Sequence, residues 1–295
     1  MIIDFHTHLW PKEDTTVSLV EYFKSRKIWD ESLSAVTSET LIRIMDENSI
    51  KKSVVLSVAL RSGMRSDEID KINTYVSEEV SRSDGRLVGF CTVNPFSGKS
   101  SIKTVEKAVE YLGLRGLKLH PSFQVFYPND HKLYPLYDKM KSYKLPVLFH
   151  TGSIGILPFR DLYSNPIYID DVACDFPDLI IILGHAGKIW YDEAVMLMRK
   201  HKNIYVDIST NIGRSESFAA LPLSWFLYKV KVWAGNLDRV LFGSDYPFYF
   251  QNETLNYLYE ARNYLNKDNK NFMSEGDLKN IIYLNAERLI NSLNI

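Results

Sequence analysis

The sequence predicts an α/β protein that forms a (β/α)8 barrel, and three observations lead to this prediction. Short apolar and β-branched runs recur at intervals of a few tens of residues along the chain. Most of them are separated by segments with helical periodicity, as in a parallel sheet covered by helices. Eight such runs occur in 295 residues, which matches the strand number and size of a barrel. A doubly wound open sheet is the alternative.

The elements follow one another in a regular order. The predicted strands are IIDFH, KSVVLSV, RLVGFCTV, RGLKLH, PVLFH, LIIILGH, IYVDIS and RVLFGSD. Amphipathic helices are predicted after Ser38 and after Ser100, which are candidate N-caps, and the second helix is expected to stop at Gly113. Their apolar faces would contain Leu41, Ile44 and Met45 in the first helix, and Ile102, Val105, Val109 and Leu112 in the second.

Two segments are longer than a simple barrel requires. Residues 9–36 follow the first strand, and residues 211–236 follow the seventh. Insertions at these places would lie over the mouth of the barrel and shape or cover a pocket. Because no repeat, low-complexity tract or Pro/Gly/Ser-rich linker divides the chain, we expect residues 1–295 to form one domain.

The composition limits the kinds of molecule that the protein is expected to bind. The formal net charge is -1, so the chain lacks the basic field that nucleic acid or an anionic membrane surface requires. Apolar runs such as LIIIL are too short to span a bilayer, and the N-terminal segment does not resemble a signal peptide. We therefore expect a cytoplasmic protein that binds neither nucleic acid nor membrane. Cys91 and Cys174 lie in apolar segments and are expected to be buried free thiols.

The polar residues that carry chemistry fall at the carboxyl ends of the predicted strands, where the active site of such a barrel lies. They are His6, His8, Lys118, His120, His150, His185 and Asp245. Since His6 and His8 are two residues apart on a strand, their side chains point the same way. His131 and His201 fall outside this set, and we expect both to be solvated.

Five histidines and one aspartate at separate strand ends indicate a metal site. Imidazole nitrogens and carboxylate oxygens are ligands that Zn²⁺ and related divalent ions prefer, and a catalytic site leaves one position open for water. The alternative for any single residue of this set is a buried polar side chain satisfied by hydrogen bonds. The recurrence of such residues on one strand after another favours the metal site.

The same residues occur in motifs that resemble the amidohydrolase superfamily, and in particular its amidohydrolase-related group of metal-dependent hydrolases and decarboxylases. The motifs are HTH in the first strand, LFHTG around His150, LGHAG around His185 and FGSDYPF around Asp245. The resemblance runs from Met1 to the closing NAERLI. It implies the (β/α)8 TIM-barrel fold, in agreement with the strand count.

The resemblance also implies a role for each residue. His6, His8, His150 and Asp245 would bind one divalent ion, in the first place Zn²⁺, with Mn²⁺, Fe²⁺ or Co²⁺ as alternatives. A bound ion of this kind lowers the pKa of its water toward roughly 7. Asp245 would then accept the proton of that water and deliver it to the leaving group. His185 would hydrogen-bond to the oxygen that gains charge, or would only orient its neighbours.

Three further residues are candidates for substrate binding. In GLRGLKLHP the alternation of side chains turns Lys118 and His120 toward the barrel interior. Because a buried ammonium needs a partner, we expect a free Lys118 that pairs with a substrate carboxylate or with Asp245. The alternative, from the same resemblance, is a carboxylated Lys118 that bridges two metal ions. Arg61, just past the second strand, is a candidate for binding an anionic group, with a solvated loop arginine as its alternative.

The sequence therefore predicts a metal-dependent hydrolase that uses a metal-activated water on a carboxylic ester, lactone or amide. The nearest alternative is a metal-dependent non-oxidative decarboxylase of an aromatic or unsaturated carboxylate. A third hypothesis is an inactive barrel that binds a ligand or partner, but such a module has no need of an open-sided metal site. The expected partner is a small carboxylate-bearing substrate, and a homodimer is one option for the assembly.

Overall fold

The computed structural model describes residues 1–14, 17–25, 27, 29–213, 218–268 and 271–293. Within these residues, eight strands follow the order that the sequence predicts. They are β1 (Ile2–Thr7), β2 (Ile50–Leu56), β3 (Leu87–Phe90), β4 (Leu117–Leu119), β5 (Val147–His150), β6 (Ile181–Gly184), β7 (Ile204–Asp207) and β8 (Val240–Leu241).

The strands close into a barrel. Neighbouring strands pair in parallel in two runs, β1 to β3 and β4 to β8. Backbone hydrogen bonds join these runs at both edges: for example, Cys91 N–H donates to Gly116 O at 2.8 Å, and Phe5 N–H donates to Phe242 O at 2.8 Å. The sheet therefore returns to its first strand, which confirms the predicted barrel and excludes the open sheet.

Helices follow the strands and cover the sheet. They are α1 (Val17–Ser25), α2 (Ser38–Glu47), α3 (Ser66–Ser81), α4 (Lys99–Glu110), α5 (Pro121–Gln124), α6 (Tyr134–Ser142), α7 (Ile169–Asp175), α8 (Tyr191–Lys200), α9 (Leu221–Lys229), α10 (Gln251–Leu265), α11 (Glu275–Lys279) and α12 (Asn285–Ser292). Among the described residues, none of them is both long enough and apolar enough to cross a membrane.

The two predicted helix caps were wrong. Thr37 caps α2, since its Oγ1 accepts a hydrogen bond from Thr40 N–H, and Gly98 precedes α4. The predicted caps instead make tertiary contacts: Ser38 Oγ donates to the buried Glu79 at 2.7 Å, and Ser100 Oγ lies 3.0 Å from a serine hydroxyl of α3. Because each serine hydroxyl contacts a residue of another helix, it does not cap the helix in which it lies.

Side-chain alternation along β4 is as predicted. Leu117 and Leu119 belong to the apolar layer that the strands share with the helices, whereas Lys118 Nζ lies 3.5 Å from His6 Nε2 across the barrel. A second apolar cluster joins strand residues such as Phe90 and Leu148 to α12. Lys118 is thus held on the interior side of its strand by the burial of both its neighbours.

The first predicted insertion packs against the strand-end residues. Trp10 and Phe23 lie 5.9 Å and 5.6 Å from the ring of Phe248, which is itself 6.0 Å from the ring of His8. In the second insertion, α9 packs on α8 and α10. Residues 15, 16, 26 and 28 of the first insertion and 214–217 of the second lie outside the described residues.

The two cysteines differ in exposure. Cys91 is buried at the end of β3, whereas Cys174 is exposed, so the prediction that both are buried was wrong for Cys174. Helix α7 turns Val172 and Ala173 toward the core, and the next residue therefore faces solvent.

Candidate metal centre

The carboxyl ends of the strands bring most of the predicted site residues together. His6 lies in β1, Lys118 in β4 and His150 at the end of β5, while His8, His120 and His185 directly follow β1, β4 and β6. Asp245 lies four residues past the end of β8. Each of these residues except His150 is at most 9% exposed, so the site is built inside the barrel rather than on its rim.

His6, His8 and Asp245 form one close group of metal-ligand types. Asp245 Oδ1 lies 3.1 Å from His8 Nε2 and 3.6 Å from His6 Nε2. One ligand atom from each of the three residues lies within 4.8 Å of the others. The predicted convergence of His6 and His8 is therefore present, despite a shift in register between Asp4 and Thr7 where β1 pairs with β2.

The hydrogen bonds of the Nδ1 atoms of His6 and His8 explain why their Nε2 atoms fit a cation. His6 Nδ1 donates to Asp207 Oδ2 at 2.8 Å, and His8 Nδ1 donates to Leu56 O at 3.0 Å, because a carboxylate or carbonyl oxygen can only accept. In the neutral rings both Nε2 atoms then carry lone pairs toward Asp245. The three groups have no hydrogen of their own between them, so their lone pairs repel one another unless a positive charge lies nearby. Lys118 Nζ, 3.5 Å from His6 Nε2, supplies part of that charge, and a metal ion at the common point would supply the rest.

Asp245 is held in an unusual backbone conformation. Its φ is 70°, in the left-handed region that costs energy for a residue with a side chain. Its N–H donates to His6 O at 2.8 Å, and so ties it to β1. The adjacent Ser244 donates to the buried carboxylate of Asp4 through its N–H at 2.9 Å and its hydroxyl at 2.6 Å. These bonds anchor the loop that carries Asp245 to the strand that carries His6.

Asp4, the acceptor of these hydrogen bonds, is a buried carboxyl group. Burial raises the pKa of its carboxyl to about 6, although hydrogen bonds from Ser244, Gln251 and His6 act in the opposite direction. Gln251 at the start of α10 donates to Asp4 Oδ2 at 2.8 Å. Strand β1, the loop after β8 and helix α10 therefore meet at one carboxylate.

A second group contains His6, His185 and Asp207, whose ligand atoms also lie within 4.8 Å of one another. His185 N–H donates to Asp207 Oδ1 at 3.0 Å, and His185 Nδ1 lies 2.7 Å from Ser209 Oγ. Ser209 Oγ in turn donates to Asp207 Oδ1. His6 thus joins both groups, with Nε2 facing Asp245 and Nδ1 facing Asp207.

His150 lies between two other histidines. Its Nδ1 is 3.0 Å from His185 Nε2, and its ring stacks on His120 with centroids 3.9 Å apart. Its Nε2 is buried and has no hydrogen-bond partner among the described residues. An unpartnered buried nitrogen is costly, and a metal ion is one group that satisfies it.

His120 is oriented by its own helix terminus. Its Nδ1 accepts a hydrogen bond from Phe123 N–H at 3.3 Å, and Phe123 covers the opposite face of the ring at 3.7 Å between centroids. Gln124 accepts a hydrogen bond from His120 N–H at 2.8 Å. In the neutral ring the proton is therefore on Nε2, so His120 offers a hydrogen-bond donor.

The electrostatics of the site keep the buried bases neutral. Burial lowers the pKa of His6, His120, His150 and His185 well below the usual histidine value, and nearby positive charge, including that of Lys118, adds to the effect. Burial also lowers the pKa of Lys118 to about 8, while Asp207 and Asp245 oppose this shift. Neutral imidazoles are the form that binds metal.

Three residues singled out in the sequence lie apart from this site. Arg61 is exposed and pairs with Glu68 at 2.6 Å, so the structure does not bring it together with the histidines. His131 is exposed, as predicted, but His201 is only 9% exposed and lies 2.7 Å from Asp170, so the prediction that it is solvated was wrong. Burial against α7 gives His201 a carboxylate partner in place of water.

The ligand atoms of Asp170, Cys174 and His201 also lie within 4.8 Å of one another. Lys200 Nζ, however, lies 2.9 Å and 2.7 Å from the two Asp170 oxygens. The ammonium already compensates the charge that would attract a cation to this cluster.

Comparison with known proteins decides the family. The sequence model of the amidohydrolase family matches residues 3–291. The chain belongs to the amidohydrolase family. It is therefore an enzyme, of the broad class of metal-dependent hydrolases and decarboxylases. Among curated proteins, none matches this amidohydrolase significantly in sequence.

Solved structures resemble this amidohydrolase over its whole length. An uncharacterized TIM-barrel protein from Bordetella bronchiseptica is 20% identical, with a TM-score of 0.74 and coverage of 100% of this chain and 99% of the other. A dihydroxybenzoic acid decarboxylase from Polaromonas sp. is 17% identical, with a TM-score of 0.73 and coverage of 100% and 97%. A probable 2-pyrone-4,6-dicarboxylic acid hydrolase from Acinetobacter baumannii is 16% identical, with a TM-score of 0.66 and coverage of 98% and 99%. At these identities the likeness establishes the fold.

Sequence reasoning missed several residues of the amidohydrolase site. Asp207 ends β7 and contacts both His6 and His185, and Ser209 follows it by two residues. The rule that found Asp245, a carboxylate at the end of a β-branched strand, applies equally to the IYVDIS run and would have found Asp207. Asp4 had no such signal, because its partners come from the loop after β8 and from α10.

Proposed function

We propose that this amidohydrolase is a metal-dependent hydrolase of a carboxylic ester, lactone or amide. The observation that carries the proposal is the convergence of the lone pairs of His6 Nε2, His8 Nε2 and Asp245 Oδ1 on one point. We propose one divalent ion per chain, Zn²⁺ in the first place, held by these three residues and His150. The unpartnered Nε2 of His150 supports its inclusion.

The chain's own residues supply the proton transfers. When bound, the ion lowers the pKa of a coordinated water toward roughly 7 and polarises the scissile carbonyl. Asp245 is the carboxylate at the same point, so it takes the proton from the attacking water and passes it to the leaving group. The hydrogen bond from Asp245 N–H to His6 O keeps the carboxylate close to the ligand atoms during both transfers.

Neutral donors and one ammonium bind the substrate in this proposal. Lys118, buried beside His6 Nε2, is the group for a substrate carboxylate. His120 Nε2–H donates to a substrate oxygen. The sequence predicts the same role for His185 toward the oxygen that gains charge, but the Nε2 that would donate lies 3.0 Å from His150 Nδ1. Arg61 would have to leave Glu68 to reach an anionic substrate, so we place it last among the binding residues.

A second candidate is the non-oxidative decarboxylation of an aromatic or unsaturated carboxylate. The observation that favours it is the full-length likeness to the Polaromonas decarboxylase, whose structure contains manganese and the inhibitor 2-nitroresorcinol. The likeness to the probable pyrone dicarboxylic acid hydrolase, which has citric acid bound, favours hydrolysis in the same way. In both cases a small, oxygen-rich or carboxylate-bearing molecule is the proposed substrate class.

Isotope labelling distinguishes the two reactions. A panel of lactones, esters, amides and aromatic carboxylates is first screened with the metal-loaded protein. For an active compound, turnover in ¹⁸O-labelled water should place the label in a new carboxyl group without stoichiometric release of CO₂. Release of CO₂, with deuterium from heavy water entering the product carbon and no oxygen label, would contradict hydrolysis and support decarboxylation.

A further inference from the structure

One unbroken chain of hydrogen bonds links four strand ends. It runs from His6 Nδ1 to Asp207 Oδ2 at 2.8 Å, and from Asp207 Oδ1 to Ser209 Oγ. It continues from Ser209 Oγ to His185 Nδ1 at 2.7 Å and from His185 Nε2 to His150 Nδ1 at 3.0 Å. All of these groups except part of His150 are buried, so no bulk water competes for the bonds.

Only one arrangement of hydrogens satisfies this chain. The Asp207 carboxylate accepts, so His6 carries its proton on Nδ1 and Ser209 gives its single hydroxyl hydrogen to Oδ1. Ser209 Oγ can then only accept from His185 Nδ1–H. Because a ring that carries its one hydrogen on Nδ1 has a bare Nε2, His185 Nε2 accepts from His150 Nδ1–H.

From this arrangement we propose that Asp207 is a positioning residue, and that it acts directly and through Ser209 to hold His6, His185 and His150 as Nδ1–H tautomers. The consequence is that Nε2 of His6 and Nε2 of His150, on β1 and β5, are both bare ligand atoms. The inference rests on the proposed metal centre, where bare Nε2 atoms are the ligands, although Lys118 Nζ also lies 3.5 Å from His6 Nε2.

The same chain of hydrogen bonds gives His185 and His120 different roles. While the chain is intact, His185 Nε2 accepts a hydrogen from His150 and cannot donate one to a substrate oxygen. His120, whose Nδ1 accepts from Phe123 N–H, carries its proton on Nε2. The donor to a developing oxyanion is therefore His120, and His185 transmits the orientation set by Asp207 to His150.

Ring-nitrogen NMR tests the tautomers directly. Long-range ¹H–¹⁵N correlations of ¹⁵N-histidine-labelled full-length protein, recorded metal-free and Zn²⁺-loaded, distinguish Nδ1–H from Nε2–H rings. We expect Nδ1–H patterns for His6, His150 and His185 and an Nε2–H pattern for His120. Asp207→Asn, whose amide can donate to His6 Nδ1, should move His6 toward Nε2–H and weaken Zn²⁺ binding by about 10–100-fold.

Two further variants keep the test decisive. Ser209→Ala should alter the patterns of His185 and His150. His6 Nδ1 also lies 3.4 Å from Ser209 Oγ, but its tautomer should not change because its shorter bond to Asp207 Oδ2 remains. Asp170→Asn, at the Asp–His pair with His201 outside the site, should change His201 alone and leave Zn²⁺ affinity unaltered.

The outcomes separate the two proposals. An Nε2–H pattern for any of His6, His150 or His185 in the wild type, or unchanged patterns in both Asp207→Asn and Ser209→Ala, overturns the positioning role. Nδ1–H patterns that respond as expected in a protein that binds no Zn²⁺ would support the tautomer assignment and refute the proposed metal centre.

Discussion

His8 Nε2 and Asp245 Oδ1 lie 3.1 Å apart, and His8 Nδ1 donates to Leu56 O, so a ring with a single N–H has no hydrogen to place between them. Two lone pairs at this distance repel unless a positive charge lies beside them. The proposed metal ion supplies that charge, and the predictions about binding and turnover depend on it.

Removal of a histidine ligand should abolish metal binding. Elemental analysis of the wild type should find about one ion per chain, with three or four protein ligands and water, as in catalytic zinc sites. His6→Ala, His8→Ala and His150→Ala should each lose the ion, whereas His131→Ala, at an exposed histidine, should retain it. Full metal content in all three ligand variants would refute the assignment.

Asp245→Asn should lower the rate of turnover by about 10²–10⁴-fold, because the amide cannot carry the proton from water to the leaving group. Asparagine tolerates a φ of 70° better than most residues, so the fold should persist by circular dichroism. Asp84→Asn is the matched control, since Asp84 is exposed and has a φ of 50°. An active Asp245→Asn enzyme would remove Asp245 from the proposed mechanism.

Lys118→Met should keep the metal and reduce turnover of carboxylate substrates, because the substitution removes a charge-assisted bond but preserves most of the buried volume. The measurement is metal content together with kcat/KM for substrates with and without a free carboxylate. Lys107→Met, at an exposed lysine paired with Asp70, should change neither. Loss of metal in Lys118→Met and a ¹³C carbamate signal in the wild type would instead support the carboxylated lysine.

Gly243→Ala should disturb His6. A Cβ at this position would lie 2.9 Å from His6 Cβ and 3.4 Å from Asp207 Cβ, which is too close without movement. Overpacking of this kind costs about 1–3 kcal/mol, measurable by urea denaturation, and should also weaken metal binding. Gly276→Ala, in α11 with ordinary contacts, should be neutral or stabilise by up to about 1 kcal/mol. Equal behaviour of the two variants would contradict the close packing at His6.

The thiols should differ in reactivity. Burial raises the pKa of the Cys91 thiol to about 12, while Cys174 is exposed on α7. Because the thiolate is the reacting form, a thiol reagent at pH 8 should modify one cysteine per native chain and two after denaturation. Cys174→Ser should leave no reactive thiol in the native protein, and rapid labelling of that variant would contradict the burial of Cys91.

The sequence by itself determined the barrel and the place of its chemistry. Apolar strands such as LIIIL and amphipathic helices can bury their surfaces only as a parallel sheet covered by helices, and the carboxyl ends of its strands must meet at one edge. His6, His150 and Asp245 could therefore be assigned to one site from their positions in the strand pattern alone. The strand and helix patterns repeat over one to four residues, so they can be recognised without knowing which distant residues are in contact.

Only the tertiary structure decided how those side chains are oriented and what supports them. The roles of Asp4, Asp207 and Ser209 depend on partners that lie far along the chain, such as the 2.8 Å contact between His6 Nδ1 and Asp207 Oδ2. The same reason accounts for Ser38, whose hydroxyl binds Glu79 instead of capping α2, and for Arg61, which pairs with Glu68. A hydrogen bond depends on ångström distances and on which ring nitrogen carries the proton, and neither is encoded in local sequence periodicity.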